Sequence, residues 1–289
     1  RAGINFADTH QTQNVYVRRF ELPLIPGGEV AGVVEQAGGG FEAGERVVAM
    51  TGAGGYAEYV AADAATTFRI PDGLDDGVAL ALLIQGLTAW HLYRTCARVA
   101  PGETVVVISG AGGVGSLAVQ LGKPMGAGRV IATASSQEKR ELTLELGADA
   151  AVDPDDGDFT EKLIEANGGE PVDAVFEMAG GALFDGALNA LAPLGRIVTY
   201  GIASREQNEV RTGKLMRKSW SVVGFWLFHC LERPDELIRE PLADLYERAA
   251  RGEVRAIVGG TWPLAEARDA HEALKSRRTR GKLLLDATA

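Results

Sequence analysis

The stretch Thr104-Val105-Val106-Val107-Ile108-Ser109 runs directly into Gly110-Ala111-Gly112-Gly113-Val114-Gly115. The β-branched run reads as a strand, and Ser116-Leu117-Ala118-Val119-Gln120-Leu121 behind the glycines reads as the start of a helix. Strand, glycine turn and helix in that order mark the place where a parallel-sheet protein holds the pyrophosphate of a dinucleotide. Backbone N–H groups at the helix N-terminus point at the anion, and the aligned peptide dipoles favour negative charge there. A side chain at these positions would keep the backbone off the phosphates or push the helix away from the strand. In a chain with 37 glycines the bare spacing is a weak signal; its position between a strand and a helix makes it a strong one.

At 289 residues the chain is longer than a typical single domain, so two lobes are expected. The run Glu29–Val34, the run Glu45–Met50 and the run Tyr56–Val60 read as short strands. Gly27-Gly28, Gly38-Gly39-Gly40 and Gly52-Ala53-Gly54-Gly55 punctuate them, which predicts a compact β lobe over residues 1–80. From about Gly86 strands and helices alternate. Strands are expected at Val105–Ile108, Arg129–Thr133, Ala174–Phe176, Arg196–Tyr200 and Ser221–Val223, with helices at Ser136–Leu146 and Phe159–Ala166. Such alternation predicts a parallel sheet with right-handed crossovers. Helices near Pro234–Arg251 and Leu264–Ser276 then precede a final strand, Gly281-Lys282-Leu283-Leu284-Leu285.

The formal charge of −10, from 29 basic and 39 acidic residues with no dense basic block, weighs against nucleic acid or an anionic membrane as partner. The most apolar stretch, Val78 to Tyr93, is broken by Gln85, Gly86 and Thr88 and is too short to span a bilayer; it reads as a buried helix. Cys96 and Cys230 lie far apart and lack zinc-type spacing, which fits a reducing cytoplasm. The chain opens on Arg1 within a motif, so a further N-terminal segment is expected before it.

The second strand of the alternating region ends in Ala134-Ser135-Ser136. In NAD enzymes of this architecture an acidic residue here accepts from the ribose 2′-hydroxyl. No carboxylate occupies the position, while Lys139 and Arg140 follow closely. A 2′-phosphate would meet a donor in Ser135 and a counter-charge in Lys139, so the residues favour NADPH over NADH. The competing reading makes both cations solvated helix charges.

Further segments carry a family resemblance. Ala2-Gly3-Ile4-Asn5-Phe6-Ala7-Asp8-Thr9 and Pro26-Gly27-Gly28-Glu29-Val30-Ala31-Gly32 resemble the start of the catalytic domain of medium-chain dehydrogenases/reductases. Gln85-Gly86-Leu87-Thr88-Ala89-Trp90 is similar to their crossing into the cofactor domain, and Gly281-Lys282-Leu283 to their closing strand. With the glycine turn, the resemblance spans nearly the whole chain, and it is nearest to the NADPH:quinone oxidoreductases. It implies an α/β fold: a Rossmann doubly wound parallel sheet over residues 87–227, plus a GroES-like β-rich catalytic domain from residues 1–86 and 228–289. It also implies a homodimer.

Zinc-dependent members place Cys and His ligands in these opening motifs. Here Asn5 lies in the first region and Gly28 replaces the His, so no catalytic zinc is expected. Without a Lewis acid to hold a developing alkoxide, a simple ketone is a poor hydride acceptor. The resemblance therefore implies a conjugated acceptor, with quinones first and 2-enoyl thioesters or alkenals as the alternative. Gly224-Phe225-Trp226-Leu227 resembles a run in enoyl thioester reductases. A third possibility, from relatives with other roles, is a non-catalytic NADPH-binding structural or RNA-binding protein.

The expected catalytic residues are Asn5, holding the acceptor oxygen or the nicotinamide amide, Tyr16 as proton donor, and His10 sharing that role. For His10 and Tyr16 simple packing within the β lobe is the competing reading. The expected cofactor contacts are Thr88, Gly110, Ala111, Gly112, Gly113, Val114, Gly115, Ser135, Lys139, Tyr200, Gly201, Phe225 and Lys282.

Overall fold

The computed structural model describes residues 1–288. The chain divides into two compact units, Arg1–Leu87 with Phe228–Ala289, and Thr88–Leu227. The strands are β1 (Ala2–Ile4), β2 (Glu29–Val33), β3 (Arg46–Met50), β4 (Thr67–Arg69), β5 (Thr104–Val107), β6 (Arg129–Thr133), β7 (Ala150–Val152), β8 (Val172–Glu177), β9 (Leu191–Thr199), β10 (Ser221–Gly224), β11 (Val258–Pro263) and β12 (Lys282–Asp286).

The first unit is built on a six-stranded sheet in the order β11-β12-β1-β2-β3-β4. β1 runs antiparallel between β12 and β2, with Gly3 opposite Leu284 and Ile4 opposite Leu283. Early and late segments of the chain are thus joined edge to edge, and Ala2, Ile4, Leu283 and Leu285 enter one apolar cluster with Tyr56 and Ala270. The run Tyr56–Val60, expected as a strand, is irregular. The turn through Gly54 and Gly55 folds it back, so the Tyr56 N–H donates to Pro26 O at 3.0 Å and the Ala57 N–H to Gly55 O at 2.9 Å. These N–H groups are then lost to any ladder, and β4 pairs with β3 instead. In the expected helix at 234–251, Asp235–Arg239 winds in wider π-type turns and leads directly into the regular helix Glu240–Ala250, which carries Pro241 in its first turn.

The second unit holds a parallel sheet in the order β10-β9-β8-β5-β6-β7. Val105, Val106, Val107, Val130, Ile131, Val175 and Phe176 are fully buried, as befits inner strands of a sheet covered on both faces. From β5 the chain winds outward through β6 to β7, then crosses back to β8 on the other side. The switch point between β5 and β8 is where such sheets open a crevice at the carboxyl ends of their strands. The edge strand β7 adds to the expected set; Ala150-Ala151-Val152 is too short to produce a periodic signal. The apolar stretch Val78–Tyr93 is helical, with Leu80, Leu82, Leu83, Leu87 and Leu92 fully buried. Among the described residues no helix is long and apolar enough to cross a membrane.

The helix behind the glycine turn begins at Gly113, three residues before the expected Ser116, because Gly112 caps it and its carbonyl accepts the Ser116 N–H at 2.9 Å. The glycines are not equivalent. A Cβ on Gly115 would stand 2.2 Å from Ser109 O and 2.8 Å from Gly110 Cα, both backbone atoms, whereas one on Gly112 would meet nothing nearer than 3.2 Å. Gly115→Ala is therefore expected to lower stability by about 1–3 kcal/mol through overpacking, seen as a lower melting temperature, and Gly112→Ala to cost well under half of that. Equal effects would remove the packing role assigned to Gly115.

Candidate functional site

The carboxyl ends of the parallel strands in the second unit assemble most of the expected cofactor residues. The Gly110 N–H donates to Thr133 O at 2.8 Å and the Ser109 N–H to Thr133 Oγ1 at 3.1 Å, which ties the turn to the end of β6. A Cβ on Gly110 would come within 2.7 Å of Ala132 Cβ, so the turn lies directly on that strand. Ala111, Gly112, Gly113, Val114 and Gly115 bring the first-turn N–H groups of the helix to this end of the sheet, where they have no intrahelical partners. Past β6, Ser136 caps the helix Gln137–Glu145 and accepts the Lys139 N–H at 3.4 Å. Ser135 and Lys139 are half-buried at that end. The Arg140 guanidinium is committed elsewhere: it donates to Asp153 Oδ2 at 2.6 Å and to Ala134 O at 3.0 Å.

Tyr200 and Gly201 follow β9, where the Tyr200 N–H donates to Glu177 O at 3.0 Å. The Phe225 N–H, just past β10, donates to Thr199 O at 2.9 Å, and its ring lies 5.4 Å from that of the fully buried His91, tilted by 33°. Thr88 is 7% exposed, three residues before His91 on the same helical stretch. One group here escapes sequence reasoning. Glu177 ends β8 fully buried; its Oε1 accepts the N–H groups of Ala179 at 2.5 Å and Gly180 at 2.7 Å, while its Oε2 has no partner among the described residues. Burial pushes its carboxyl above the usual range.

The first unit contains a buried polar network around Asn5. Lys282 and Glu29 form an ion pair with both side chains fully inaccessible. The Lys282 ammonium also donates to Asn5 Oδ1 at 3.1 Å, Asn5 Nδ2 donates to Glu29 Oε1 at 2.8 Å, and the Ile84 N–H donates to Glu29 Oε2 at 3.3 Å. Gln85 Nε2 donates to Asn5 Oδ1 at 3.4 Å. Glycine at position 3 makes room for the pair: a Cβ there would stand 2.7 Å from Glu29 Oε1 and 2.8 Å from Lys282 Cε. The resemblance implied Lys282 as a cofactor contact. In the structure the residue is 1% exposed and its ammonium is bonded to Glu29 and Asn5.

His10 is 6% exposed, with its ring centroid 5.3 Å from that of Phe6 and 6.3 Å from that of the half-buried Tyr16. Gly28, in the motif position where zinc-dependent members carry a His, is buried, and the nearest atom to a Cβ there would be 3.9 Å away. Among the described residues no three His, Cys, Asp or Glu side chains are grouped so as to hold a metal ion.

A second chain of buried groups starts from the same asparagine. Asp8 Oδ2 accepts the Asn5 N–H at 2.8 Å and the Tyr56 hydroxyl at 3.1 Å, and the Tyr56 oxygen lies 2.8 Å from His271 Nε2. With its own proton given to Asp8, the tyrosine oxygen is an acceptor, so His271 carries its proton on Nε2. Burial raises the Asp8 carboxyl from 3.8 to about 6, against the favourable hydrogen bonds and the Lys282 charge. The unfolded chain binds fewer protons than the folded one between these two values, so stability falls as pH rises through that window. The cost is fully present above about pH 6, of order 3 kcal/mol, and absent below about pH 4. Asp8→Asn should accordingly raise the melting temperature relative to the parent more at pH 7.5 than at pH 5; a difference independent of pH would contradict the assignment.

Two family models match the chain: the alcohol dehydrogenase GroES-like domain over residues 1–72 and the zinc-binding dehydrogenase domain over residues 113–245. A probable quinone oxidoreductase from Schizosaccharomyces pombe is 33% identical over 98% of this chain and 86% of its own length. A 2-haloacrylate reductase from a Burkholderia species is 32% identical over 98% of this chain and 87% of its own length. The crystal structure of Escherichia coli quinone oxidoreductase complexed with NADPH superposes with a TM-score of 0.92 at 32% identity, covering 98% of this chain and 88% of that one. Matched over nearly its whole length in both units, the chain belongs to the medium-chain dehydrogenase/reductase family, in its quinone oxidoreductase branch.

Proposed function

We propose that this protein is a zinc-independent, NADPH-dependent reductase that passes hydride to quinones. The observation that carries the reading is the replacement of both zinc-ligand positions, by Asn5 and Gly28, with the buried ammonium of Lys282 held beside Asn5. An amide and a glycine at these positions supply neither thiolate nor imidazole to a zinc ion, and hydride transfer is then left to acceptors that delocalise the incoming charge by conjugation. The relatives named for quinone oxidation and reduction support the same reading.

The second unit fits NADPH. The crowding about Gly110 and Gly115 requires bare backbone at the pyrophosphate position, and Ala134-Ser135-Ser136 offers no carboxylate to repel a 2′-phosphate. With Arg140 bound to Asp153, Ser135 and Lys139 are the groups assigned to that phosphate. NADPH, when bound, supplies the hydride. Asn5 hydrogen-bonds the acceptor oxygen and Tyr16 returns the proton, while His10 packs against Tyr16. Thr88, Tyr200, Gly201 and Phe225 are assigned to orienting the cofactor.

The similarity to a 2-haloacrylate reductase supports activated alkenes as a second acceptor class. Steady-state oxidation of NADPH with 1,4-naphthoquinone, crotonyl thioester and 2-chloroacrylate, with NADH in parallel, separates the readings. Turnover of the quinone with NADPH preferred is expected; turnover of the alkenes alone would overturn the quinone assignment. Lys139→Ala should raise KM for NADPH about tenfold, the value of one lost charge-assisted contact, with little effect on KM for NADH. Equal changes with both cofactors would remove the 2′-phosphate role. Tyr16→Phe should lower kcat about a hundredfold for an alkene and only a few-fold for a quinone, whose product can take its proton from water.

A further inference from the structure

Asn5 is an amide, and an amide can face its neighbours in two ways that differ only in which end is oxygen. An ammonium has only donors and a carboxylate has only acceptors. The atom of Asn5 beside Lys282 must therefore be Oδ1, and the atom beside Glu29 must be Nδ2. Both lone pairs of Oδ1 are occupied, by Lys282 and Gln85. One Nδ2 hydrogen is given to Glu29, and the second has no partner among the described residues. The half-buried Asn5 can thus present only a donor to a ligand.

We propose that Lys282 is a positioning residue: its ammonium locks the Asn5 amide with its oxygen inward, so that the free Nδ2–H meets the acceptor oxygen on which charge develops. This rests on the reading of Asn5 as the group that holds the acceptor. Glu29 alone would not suffice. Without the ammonium it would be a buried carboxylate with no counter-charge. Two further observations agree with a site tuned around this asparagine. Gln85 Oε1 and the Tyr246 hydroxyl, on residues 8% and 7% exposed, are buried with no partner among the described residues. Burial, joined by the Glu29 charge, raises the Tyr246 phenol above the ordinary range.

A merely structural role for Lys282 would consist of neutralising Glu29, and replacing both by neutral groups separates the two roles. Lys282→Met alone should lower the melting temperature and reduce kcat at least tenfold. Lys282→Met with Glu29→Gln should recover most of the melting temperature, because no uncompensated charge remains buried. Its kcat should stay at least tenfold low, because a glutamine amide in place of the carboxylate can donate or accept and no longer dictates which way Asn5 faces. Glu29→Gln alone leaves the Lys282 ammonium buried without a counter-charge and should lower the melting temperature as Lys282→Met does. The dissociation constant of NADPH, from quenching of protein fluorescence, should stay within twofold of the parent in all three variants. Recovery of kcat together with stability in the double variant would overturn the proposal. A tenfold weakening of NADPH in any of the three would do the same. An unmodified protein inactive with every conjugated acceptor fails the reductase reading and takes this inference with it; an active parent with an equally active double variant fails the inference alone.

Discussion

A charge pair sealed from water is the constraint around which the first unit is organised. Taking an ammonium and a carboxylate out of solvent costs several kcal/mol per ion, and the cost is offset only when remaining donors and acceptors are also met. Lys282 and Glu29 are met by Asn5 and the Ile84 N–H, and the space they occupy exists because residue 3 has no side chain. Three strands supply the parts: β12 begins at Lys282, β2 begins at Glu29, and β1 ends immediately before Asn5. Displacing β12 or β2 would leave a buried charge unpaired, and displacing β1 would withdraw the amide that bonds to both, so strand register and the placement of the asparagine are one and the same constraint.

The second unit solves a different problem, close approach of backbone to backbone. Its inner strands are apolar through their middles, at Val105–Val107, Val130–Ala132 and Ala174–Phe176, and the sheet is set by crossovers and by tight packing at Gly110 and Gly115. What this leaves at the carboxyl ends of the strands is a row of main-chain donors and a few side chains. Glu177 is the exception. It is an acid held under the Ala179–Gly180 turn by two N–H bonds, and its remaining oxygen gives that rim a buried acceptor.

The second unit is largely legible from the chain because its signals are local. A β-branched run, a glycine turn and a capped helix lie within a few residues of each other, and the absent acid after β6 is read by inspection. The first unit is legible only where it matches motifs. Lys282 and Glu29 are separated by 253 positions, so nothing near either residue announces the other, and the motif around the lysine points to a cofactor contact instead. Tyr56 illustrates the same limit. Its alternating neighbourhood resembles a strand, but the two glycines before it and its hydrogen bonds to Asp8 and His271 decide its conformation. Asn5 stands out as a polar residue in an opening motif, yet which of its atoms faces a ligand is settled only by partners from distant parts of the chain.

The discontinuity of the first unit also bears on how the protein is made. Residues Thr88–Leu227 form a continuous segment whose strands all pair within it, so this unit can complete its sheet as soon as it clears the ribosome. The segment before it cannot. β1 has only β2 to pair with until β12 arrives, and Glu29 keeps its hydration until the counter-ion that closes its site is synthesised, 253 residues later. While the whole intervening unit is being made, the older sheet therefore waits with an open edge, and a single late strand both covers that edge and neutralises its carboxylate.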